Sequence, residues 1–116
     1  MKIAISVWEN QISPVFDTTT HILIADIEKK RPVNQEIISL ESITVYQRIE
    51  LLDKLEVDTF ICGGITRHLL ESIEGKNIQA IPNICGDVQQ ILDAVCKGKD
   101  IKALFSMPGN IKKENR

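Results

Sequence analysis

The 116-residue chain is poor in aromatic residues and close to neutral, and both features narrow the classes of partner it can have. Aromatic residues make up only 4% of the sequence, so a surface that stacks nucleic-acid bases is not expected. The formal net charge at pH 7 is −2, which excludes a strongly basic face for nucleic acid or an anionic membrane. We therefore expect no nucleic-acid partner and no membrane partner.

Long apolar runs and paired cysteine motifs are also missing. No stretch of about 18 apolar residues occurs, so a membrane-spanning helix is not expected. The apolar part of the opening sequence MKIAISVWEN is too short and too soon interrupted for a signal peptide, which predicts a cytoplasmic protein. The three cysteines form no CxxC motif, and in a reducing compartment they are expected to be free thiols or metal ligands rather than disulfides.

Motifs of common enzyme classes are absent as well. The chain contains no GxxxxGK[ST], GxGxxG or GxSxG motif, so neither a nucleotide-phosphate loop nor a serine nucleophile is supported. A cysteine nucleophile would need His68 beside Cys62 or Cys85, and no third group that would orient the histidine is evident. Of the functions considered, a small cysteine-dependent enzyme is therefore the least supported.

What the sequence does contain is a clear change of apolar period along the chain. Three apolar or β-branched segments come first and predict strands, and the later segments alternate between helix and strand periods. The predicted strands cover residues 2–7, 21–27, 33–40, 57–62 and 77–82, and the predicted helices cover residues 44–55, 66–73 and 87–98. This βββαβαβα order predicts an α/β fold in which helices flank a mixed sheet of about five strands, antiparallel at first and parallel later.

The length fits a single domain with one packed core. We predict that this α/β domain covers residues 1–105. The polar and charged segment SMPGNIKKENR, residues 106–116, is predicted to be a flexible tail.

The segment DTFICGGITRHLL, residues 58–70, places a thiol where a predicted strand ends. In sheets with parallel strands, binding sites gather outside the carboxyl ends of those strands. Cys62 would lie at that edge, and Gly63 and Gly64 would let the main chain approach a ligand closely or adopt positive φ. The alternative is that Cys62 is a small buried residue and that the glycines only form a tight turn.

The segment PNICGD, residues 82–87, repeats this arrangement after the next predicted strand. Cys85 precedes a predicted helix, where a thiol ionises more readily, and Gly86 offers a second close approach to the main chain. If the two strands are neighbours, Cys62 and Cys85 lie in adjacent loops and could hold a soft metal or an iron–sulfur unit. Otherwise Cys85 is an ordinary loop residue. Cys96 shares the apolar stripe of the last predicted helix and is expected in the core.

The two histidines are candidate neutral imidazole ligands. His68 lies in the first turn of the second predicted helix, at the same edge of the sheet, and His21 begins the second predicted strand. No HxxxH or HxH spacing is present, and the alternative for each is a solvent-facing or capping side chain.

Residues 8–20 lack periodicity and predict a long loop, which in a small domain is often functional. The hydroxyl of Ser13, the ring of Phe16 and the carboxylate of Asp17 would face a ligand if this loop closes the site. The alternative role of Phe16 is to anchor the loop to the core.

Four segments, in this order and at this spacing, resemble one known family: MKIAISV, ISPVFDTTTHILIADIE, VDTFICGGI and GDVQQILDAVCKG. They are similar to the dinitrogenase iron–molybdenum cofactor biosynthesis family, which includes the NifX and NafY cofactor carriers, the C-terminal domain of some NifB proteins and small stand-alone members. The resemblance covers residues 1–105. It implies a ribonuclease-H-like α/β fold without nuclease activity, and a binder or carrier of an iron–sulfur or molybdenum–sulfur cluster rather than an enzyme.

The first loop follows the family pattern only in part. Ser13 and Phe16 match it, whereas Asp17 stands in place of a glycine. Members implicated in cofactor carriage often have a histidine just before this phenylalanine, and here that position is Val15.

The two later segments match better. ICGGI fits the family pattern, so the resemblance extends most directly to Cys62, Gly63 and Gly64, and GDVQQIL fits the pattern of the last helix. Cys85 stands where members of the family vary, so it is a feature of this sequence.

The sequence therefore predicts a carrier that binds an iron–sulfur or iron–molybdenum-type cluster for cofactor assembly or delivery. The expected metal contacts are Cys62, Cys85 and His68, and cofactor-assembly proteins are the expected partners. A second copy of the chain is a candidate for completing a site with so few thiols, which would make a homodimer. The other expected contacts with the cluster are Ser13, Phe16, Asp17, Gly63, Gly64 and Gly86. The alternative is a non-catalytic interaction or regulatory module that has lost cluster binding, which Val15 favours.

Overall fold

In the computed structural model, which describes residues 1–108, six strands form one mixed sheet and four helices cover its two faces. The strands are β1 (Lys2–Trp8), β2 (Gln11–Ile12), β3 (His21–Glu28), β4 (Arg31–Ser39), β5 (Thr59–Ile61) and β6 (Gln79–Ile81). The helices are α1 (Val45–Lys54), α2 (Arg67–Glu74), α3 (Val88–Cys96) and α4 (Ile101–Phe105). The strand order is β4-β3-β1-β5-β6, and β2 pairs with β1.

The antiparallel half of the sheet is built from β1, β3 and β4. The predicted hairpin between β3 and β4 is confirmed, and its turn residues Lys29 and Lys30 have φ of 51° and 64°. Positive φ at both positions gives a turn whose twist matches that of the strands. A bulge at Asn34, with φ of 53°, shifts the register of β4 against β3.

The parallel half is built from β1, β5 and β6, whose carboxyl ends meet at one edge of the sheet. The α/β fold with a mixed sheet is therefore confirmed, and so is the predicted order of helices and strands. The sheet has one more strand than predicted because β2 is only two residues long and returns antiparallel to β1 through Glu9 and Asn10. The closer likeness to ribonuclease H stays a prediction.

Two apolar clusters lie on the opposite faces of the sheet, because successive strand residues point to alternate faces. On one face, α3 and α4 pack their buried residues, such as Ile91 and Ile101, on Ile3 and Ile5 of β1. On the other face, α1 and α2 cover a second cluster. The members of this second cluster are Ala4, Phe16, Ile22, Ile24, Leu40, Ile49, Leu52, Val57, Phe60, Cys62, Leu69, Ile73 and Ile78.

Local side-chain hydrogen bonds fix where the helices begin. The predicted capping box of α1 is confirmed: the Thr44 hydroxyl accepts from the Gln47 amide, and the Gln47 side chain accepts from the Thr44 amide. The Asp87 carboxylate accepts from the Gln90 amide and begins α3 in the same way. Thr66 precedes α2 as predicted, but its side chain makes no capping hydrogen bond.

The segment after α3 differs from expectation, because it contains the short helix α4, whose N-cap is Asp100. Five residues are too few for a recognisable apolar period, and packing of Ile101 into the core stabilises the helix instead. The next residues also contact the domain, since Ser106 pairs with Ile84 and the Met107 amide donates to the Asn83 carbonyl. Of the predicted flexible tail, residues 109–116 lie outside the described residues. Among residues 1–108, no helix combines the length and apolar character needed to cross a bilayer.

The two threonines before α1 and α2 provide a matched test of the capping interaction. Thr44→Ala removes the hydroxyl that accepts from the Gln47 amide, and we expect it to lower the free energy of unfolding by about 1 kcal/mol. Thr66→Ala removes no capping hydrogen bond and should change it by less than about 0.5 kcal/mol. Urea unfolding measures both values, and equal losses in the two variants would contradict the assignment of the capping box.

Candidate functional site

The carboxyl ends of the parallel strands are crossed by a single segment of the chain. We call this segment, residues 9–20 including β2, the strap. At one end the Ile12 amide donates to the Gly86 carbonyl at 3.0 Å. Further along, the Phe16 amide donates to the Gly64 carbonyl at 2.8 Å, and the Gly64 amide donates to the Pro14 carbonyl at 2.7 Å. The strap is therefore hydrogen-bonded to both of the glycine-containing turns that the sequence singled out.

Phe16 anchors the strap to the core, which is the alternative role that the sequence left open. Its side chain is fully buried, and its ring meets Phe60 edge-on with 5.3 Å between centroids. Arg48 on α1 adds a cationic contact, because its Nη1 donates to the carbonyl oxygens of Phe16 and Asp17 at 3.5 and 3.3 Å. The Asp17 side chain is exposed, whereas Ser13 is buried.

Gly63 is where the strap comes nearest to the turn after β5. A Cβ atom at this position would lie 2.5 Å from the carbonyl oxygens of both Ser13 and Pro14. Gly63 and Gly64 do not have positive φ, so their backbone conformation does not require glycine. The main chain at Gly63 is closely approached, as expected. The approaching groups are the carbonyl oxygens of Ser13 and Pro14 in the strap.

At Gly86, glycine is required by the backbone conformation. Its φ is +127°, a conformation that side chains of L-residues rarely adopt. A Cβ atom there would also lie 3.3 Å from the Phe105 ring. The turn after β6 is thus shaped by its backbone conformation and by the last residue of α4.

The two turns are neighbours, as expected if β5 and β6 pair. The Ile84 amide donates to the Cys62 carbonyl at 3.0 Å, and the Asn83 amide donates to the Gly63 carbonyl at 2.8 Å. The turn after β6 therefore runs alongside the turn after β5. The main chains of the two cysteine-containing segments are brought together at one edge of the sheet.

The two thiols, in contrast, have different surroundings. Cys62 is 0% exposed and belongs to the apolar cluster beneath α1 and α2. Burial raises the pKa of its thiol to about 12, so the sulfur is protonated near neutral pH. Cys85 is exposed, and its Sγ lies 3.9 Å from the Ser106 carbonyl oxygen. The expectation of two thiolates facing one cavity is not met in this conformation, because only Cys85 is open to solvent.

The remaining candidate ligands are spread out. His68 is exposed, and its ring meets Tyr46 edge-on with 6.2 Å between centroids. His21 is half-buried, and its Nδ1 is 2.9 Å from the Thr20 hydroxyl. Cys96 is buried on α3 as predicted, and burial raises the pKa of its thiol. Within residues 1–108, no three His, Cys, Asp or Glu side chains are grouped so that they could hold a metal ion.

Two polar residues near the strap were not singled out from the sequence. The Ser6 hydroxyl and the Arg48 Nε are buried and have no hydrogen-bond partner among the described residues. A serine inside the apolar segment KIAISV was the available signal for Ser6. Arg48 carried no such signal, because an arginine on an amphipathic helix is normally a surface residue.

Comparison with known proteins finds one family and several similar folds. The family model described as dinitrogenase iron-molybdenum cofactor matches residues 1–98. The crystal structure of PH0822 is similar, with a TM-score of 0.82 and 17% identity over 97% of this chain and 98% of that one. No curated protein matches the sequence.

Two further solved structures carry functional descriptions. One is a proposed dinitrogenase from Methanocaldococcus jannaschii, with a TM-score of 0.69 and 25% identity over 85% of this chain and 90% of that one. The other is a proposed NifB protein from Thermotoga, of the DUF35 family, with a TM-score of 0.66 and 18% identity over 92% of this chain and 97% of that one.

The two adjacent glycines provide a test of the packing between the strap and the turn. Gly63→Ala places a methyl group against two carbonyl oxygens of the strap, and we expect a loss of about 2–3 kcal/mol in the free energy of unfolding. In Gly64→Ala the nearest atom is the Pro14 oxygen at 3.4 Å, an ordinary contact, so the change should be below about 1 kcal/mol. Urea unfolding of both variants measures the difference. A Gly63→Ala variant as stable as Gly64→Ala would show that the strap does not pack on Gly63.

Proposed function

Because the chain belongs to the dinitrogenase iron–molybdenum cofactor family, we propose that it is a non-catalytic carrier that binds a metal–sulfur cluster during cofactor assembly or delivery. The family and the structural neighbours point to involvement in iron–molybdenum cofactor biosynthesis or binding. The finer proposal, direct binding of a cluster, rests on the chemistry available at the carboxyl edge of the sheet.

The observation that carries the proposal is the position of Cys85. Its thiol is exposed on the turn between β6 and α3, so a cluster can reach it without any rearrangement of the core. Ligation replaces the thiol S–H bond with a sulfur–metal bond and releases the proton to water. Thiolate sulfur is the ligand that iron–sulfur units prefer in proteins.

The neighbouring turn supplies groups that favour sulfide. The Thr66 side chain does not cap α2, so the first-turn amides of this helix are left without a side-chain acceptor. Free amides at a helix start suit an anionic ligand, and hydrogen bonds to sulfide stabilise exposed clusters. His68 is exposed in that turn and is the proposed secondary ligand.

The strap has a supporting role in this proposal. It holds the two turns in place through Gly64 and Gly86, and Phe16 anchors it to the core. Ser13 and Phe16 were predicted to contact a cluster. Because both side chains are buried, we assign them to this supporting role instead. Asp17 is exposed and keeps its proposed place at the rim.

A cluster that is bound by so few protein ligands is better suited to a carrier than to a permanent site. A cluster held by one thiolate and one imidazole keeps open coordination positions, which an assembly protein or a second copy of the chain would fill. Such a cluster is also released readily, because few bonds to the carrier must be broken.

A second candidate function, an interaction module without cluster binding, is favoured by two exposed apolar side chains. Trp8 at the end of β1 is 58% exposed, and Val15 on the strap is 43% exposed. Tryptophan is enriched in protein–protein interfaces, so an exposed Trp8 favours contact with another protein. The following experiment separates the two functions.

The proposed carrier is tested by anaerobic reconstitution with iron and sulfide, and separately with thiomolybdate. We expect a visible chromophore in stoichiometric amount with the unchanged chain, because Cys85 provides an accessible thiol. Cys85→Ser should reduce the bound chromophore at least about tenfold, the loss expected for a ligand residue. Absorption spectra and metal analysis after gel filtration measure the bound cluster.

Cys96→Ser is the matched control, because it also removes one thiol but from the buried face of α3. It should leave the chromophore unchanged. If the unchanged chain binds no cluster, or if Cys85→Ser binds as much of it as Cys96→Ser does, the carrier proposal is wrong and the interaction module becomes the better account.

A further inference from the structure

β4 forms one edge of the sheet. Within residues 1–108, no other strand pairs with its outer side. An edge of this kind presents N–H and C=O groups without strand partners, to which another chain can add a strand. β4 has nine residues, whereas β6 at the opposite edge has three, so β4 is the longer of the two open edges.

The features that normally prevent strand addition are found only in the first half of this edge. A turn of two lysines precedes β4, Pro32 lies near its start, and Asn34 forms the bulge. Lysine, proline and bulges protect the edge strands of natural proteins in this way. The second half, QEIIS at residues 35–39, has only the charge of Glu36. It exposes Ile37, whose side chain is 62% accessible.

The hydrogen bonds of β4 show which of its main-chain groups point outward. The Leu40 amide donates to the Thr20 carbonyl at 2.7 Å, directly after the last residue of the strand. Hydrogen-bonded and non-hydrogen-bonded pairs alternate in an antiparallel ladder. Every second residue back from Ser39 therefore directs its N–H and C=O groups away from β3. The groups available to a further strand are those of Gln35, Ile37 and Ser39.

These three residues fit a second copy of the same strand. In an antiparallel pairing centred on Ile37, this residue faces its own copy, and Gln35 faces Ser39 on either side of the centre. Each of the three outward residues then belongs to a pair that exchanges two hydrogen bonds. A centre at residue 36 would place two Glu36 carboxylates opposite each other, which is unfavourable. A centre at residue 38 would leave Gln35 without a partner inside the strand, because β4 ends at Ser39.

The charges beside this edge also suit a second copy. Glu36 and Ile38 lie on the face that α1 covers, because their partners on β3 belong to the apolar cluster of that face. On this face, a groove of about 440 Å³ between β4 and α1 is lined by residues that include Ser39 and Lys54. Lys54 is exposed and takes part in neither of the ion pairs found among residues 1–108. The register centred on Ile37 places the second copy's Glu36 opposite Ile38, on the side of this groove.

We propose that residues 35–39 of β4 pair with the same residues of a second copy, which joins two sheets into one symmetric dimer. The two-fold axis passes through the pair of Ile37 residues, so both copies contribute the same surface. The turn with Cys85 follows β6, at the opposite end of the strand order and about 19 Å away by strand spacing. A second copy bound at β4 therefore supplies no ligand to that turn, and the dimer does not depend on the proposed carrier function.

Sedimentation velocity of the full-length chain tests the dimer. A ladder of five residues is a small interface, so we expect a weak dimer that forms as the concentration rises from micromolar to millimolar. Ile37→Lys places two ammonium groups opposite each other at the two-fold axis and should raise the dissociation constant at least about tenfold. The unfolding midpoint of the variant should stay nearly unchanged, because Ile37 is exposed.

Leu104→Lys is the matched control, because it makes a similar change at an apolar residue of similar exposure, 56%, on α4. It should leave the dissociation constant unchanged. If the chain stays monomeric at every concentration, the edge is left for a strand of another protein and the proposal is wrong. It is also wrong if Ile37→Lys dimerises as well as Leu104→Lys, since the interface then lies elsewhere.

The register is tested by disulfide formation in a chain that carries Cys85→Ser, because the remaining thiols are buried. Ile37→Cys brings two thiols to the two-fold axis with Cα atoms about 5.5 Å apart, which a disulfide can span. Ser39→Cys is the matched control on the same strand, because its two copies would lie at least about 13 Å apart. Mild oxidation should therefore crosslink Ile37→Cys at least about tenfold faster, as measured by non-reducing electrophoresis. Equal or reversed rates would overturn the proposed pairing.

Discussion

The close contact between the strap and Gly63 is the constraint on which the carboxyl edge of the sheet depends. Two carbonyl oxygens of the strap occupy the space where a Cβ would stand, so the strap can cross only over a residue without a side chain. This crossing allows the paired hydrogen bonds between the strap and Gly64, and it places Phe16 in the core. The covering of Cys62 by the strap depends on that one position.

The same contact explains why two cysteines in similar sequence surroundings have different chemistry. Each follows a parallel strand and each is next to a glycine, and their main chains are hydrogen-bonded to one another through Ile84. The strap and the two helices on its face cover Cys62, and burial raises the pKa of that thiol. Cys85 lies beside the chain that follows α4, which leaves it exposed. Local sequence places a thiol at the edge, but the segments that cross over it decide whether solvent reaches it.

Much of the fold could be predicted from the sequence because the relevant signals are local. The apolar period of each segment predicts the order of helices and strands, and the spacing of Thr44 and Gln47 predicts the start of α1. The predicted neighbourhood of the two turns follows from strand order alone, through the pairing of β5 with β6. These features depend on residues that are near in sequence or on general rules of connection.

The candidate site was less predictable because its arrangement depends on contacts between distant segments. Gly63 predicted that another group lies close to the main chain there. The sequence could not show that this group is the pair of carbonyl oxygens of Ser13 and Pro14. The burial of Cys62 depends on Phe16, which is 46 positions earlier in the chain. Arg48 contacts the strap from α1. The amphipathic pattern of this helix predicts only an ordinary surface residue at position 48.

A carrier has to hold its cargo and also release it, and the burial of a thiol affects both requirements. An exposed thiolate with few neighbours exchanges its metal quickly, because water and a partner's ligands reach the same atoms. A buried thiol binds only after part of the fold has moved, so the free energy of that movement lowers its apparent affinity and slows both binding and release. The strap is held over Cys62 by main-chain hydrogen bonds and by the buried ring of Phe16, so this thiol is closed to such exchange in the folded chain. Under the proposed carrier function, Cys85 rather than Cys62 is therefore the thiol at which a metal would exchange at this edge of the sheet.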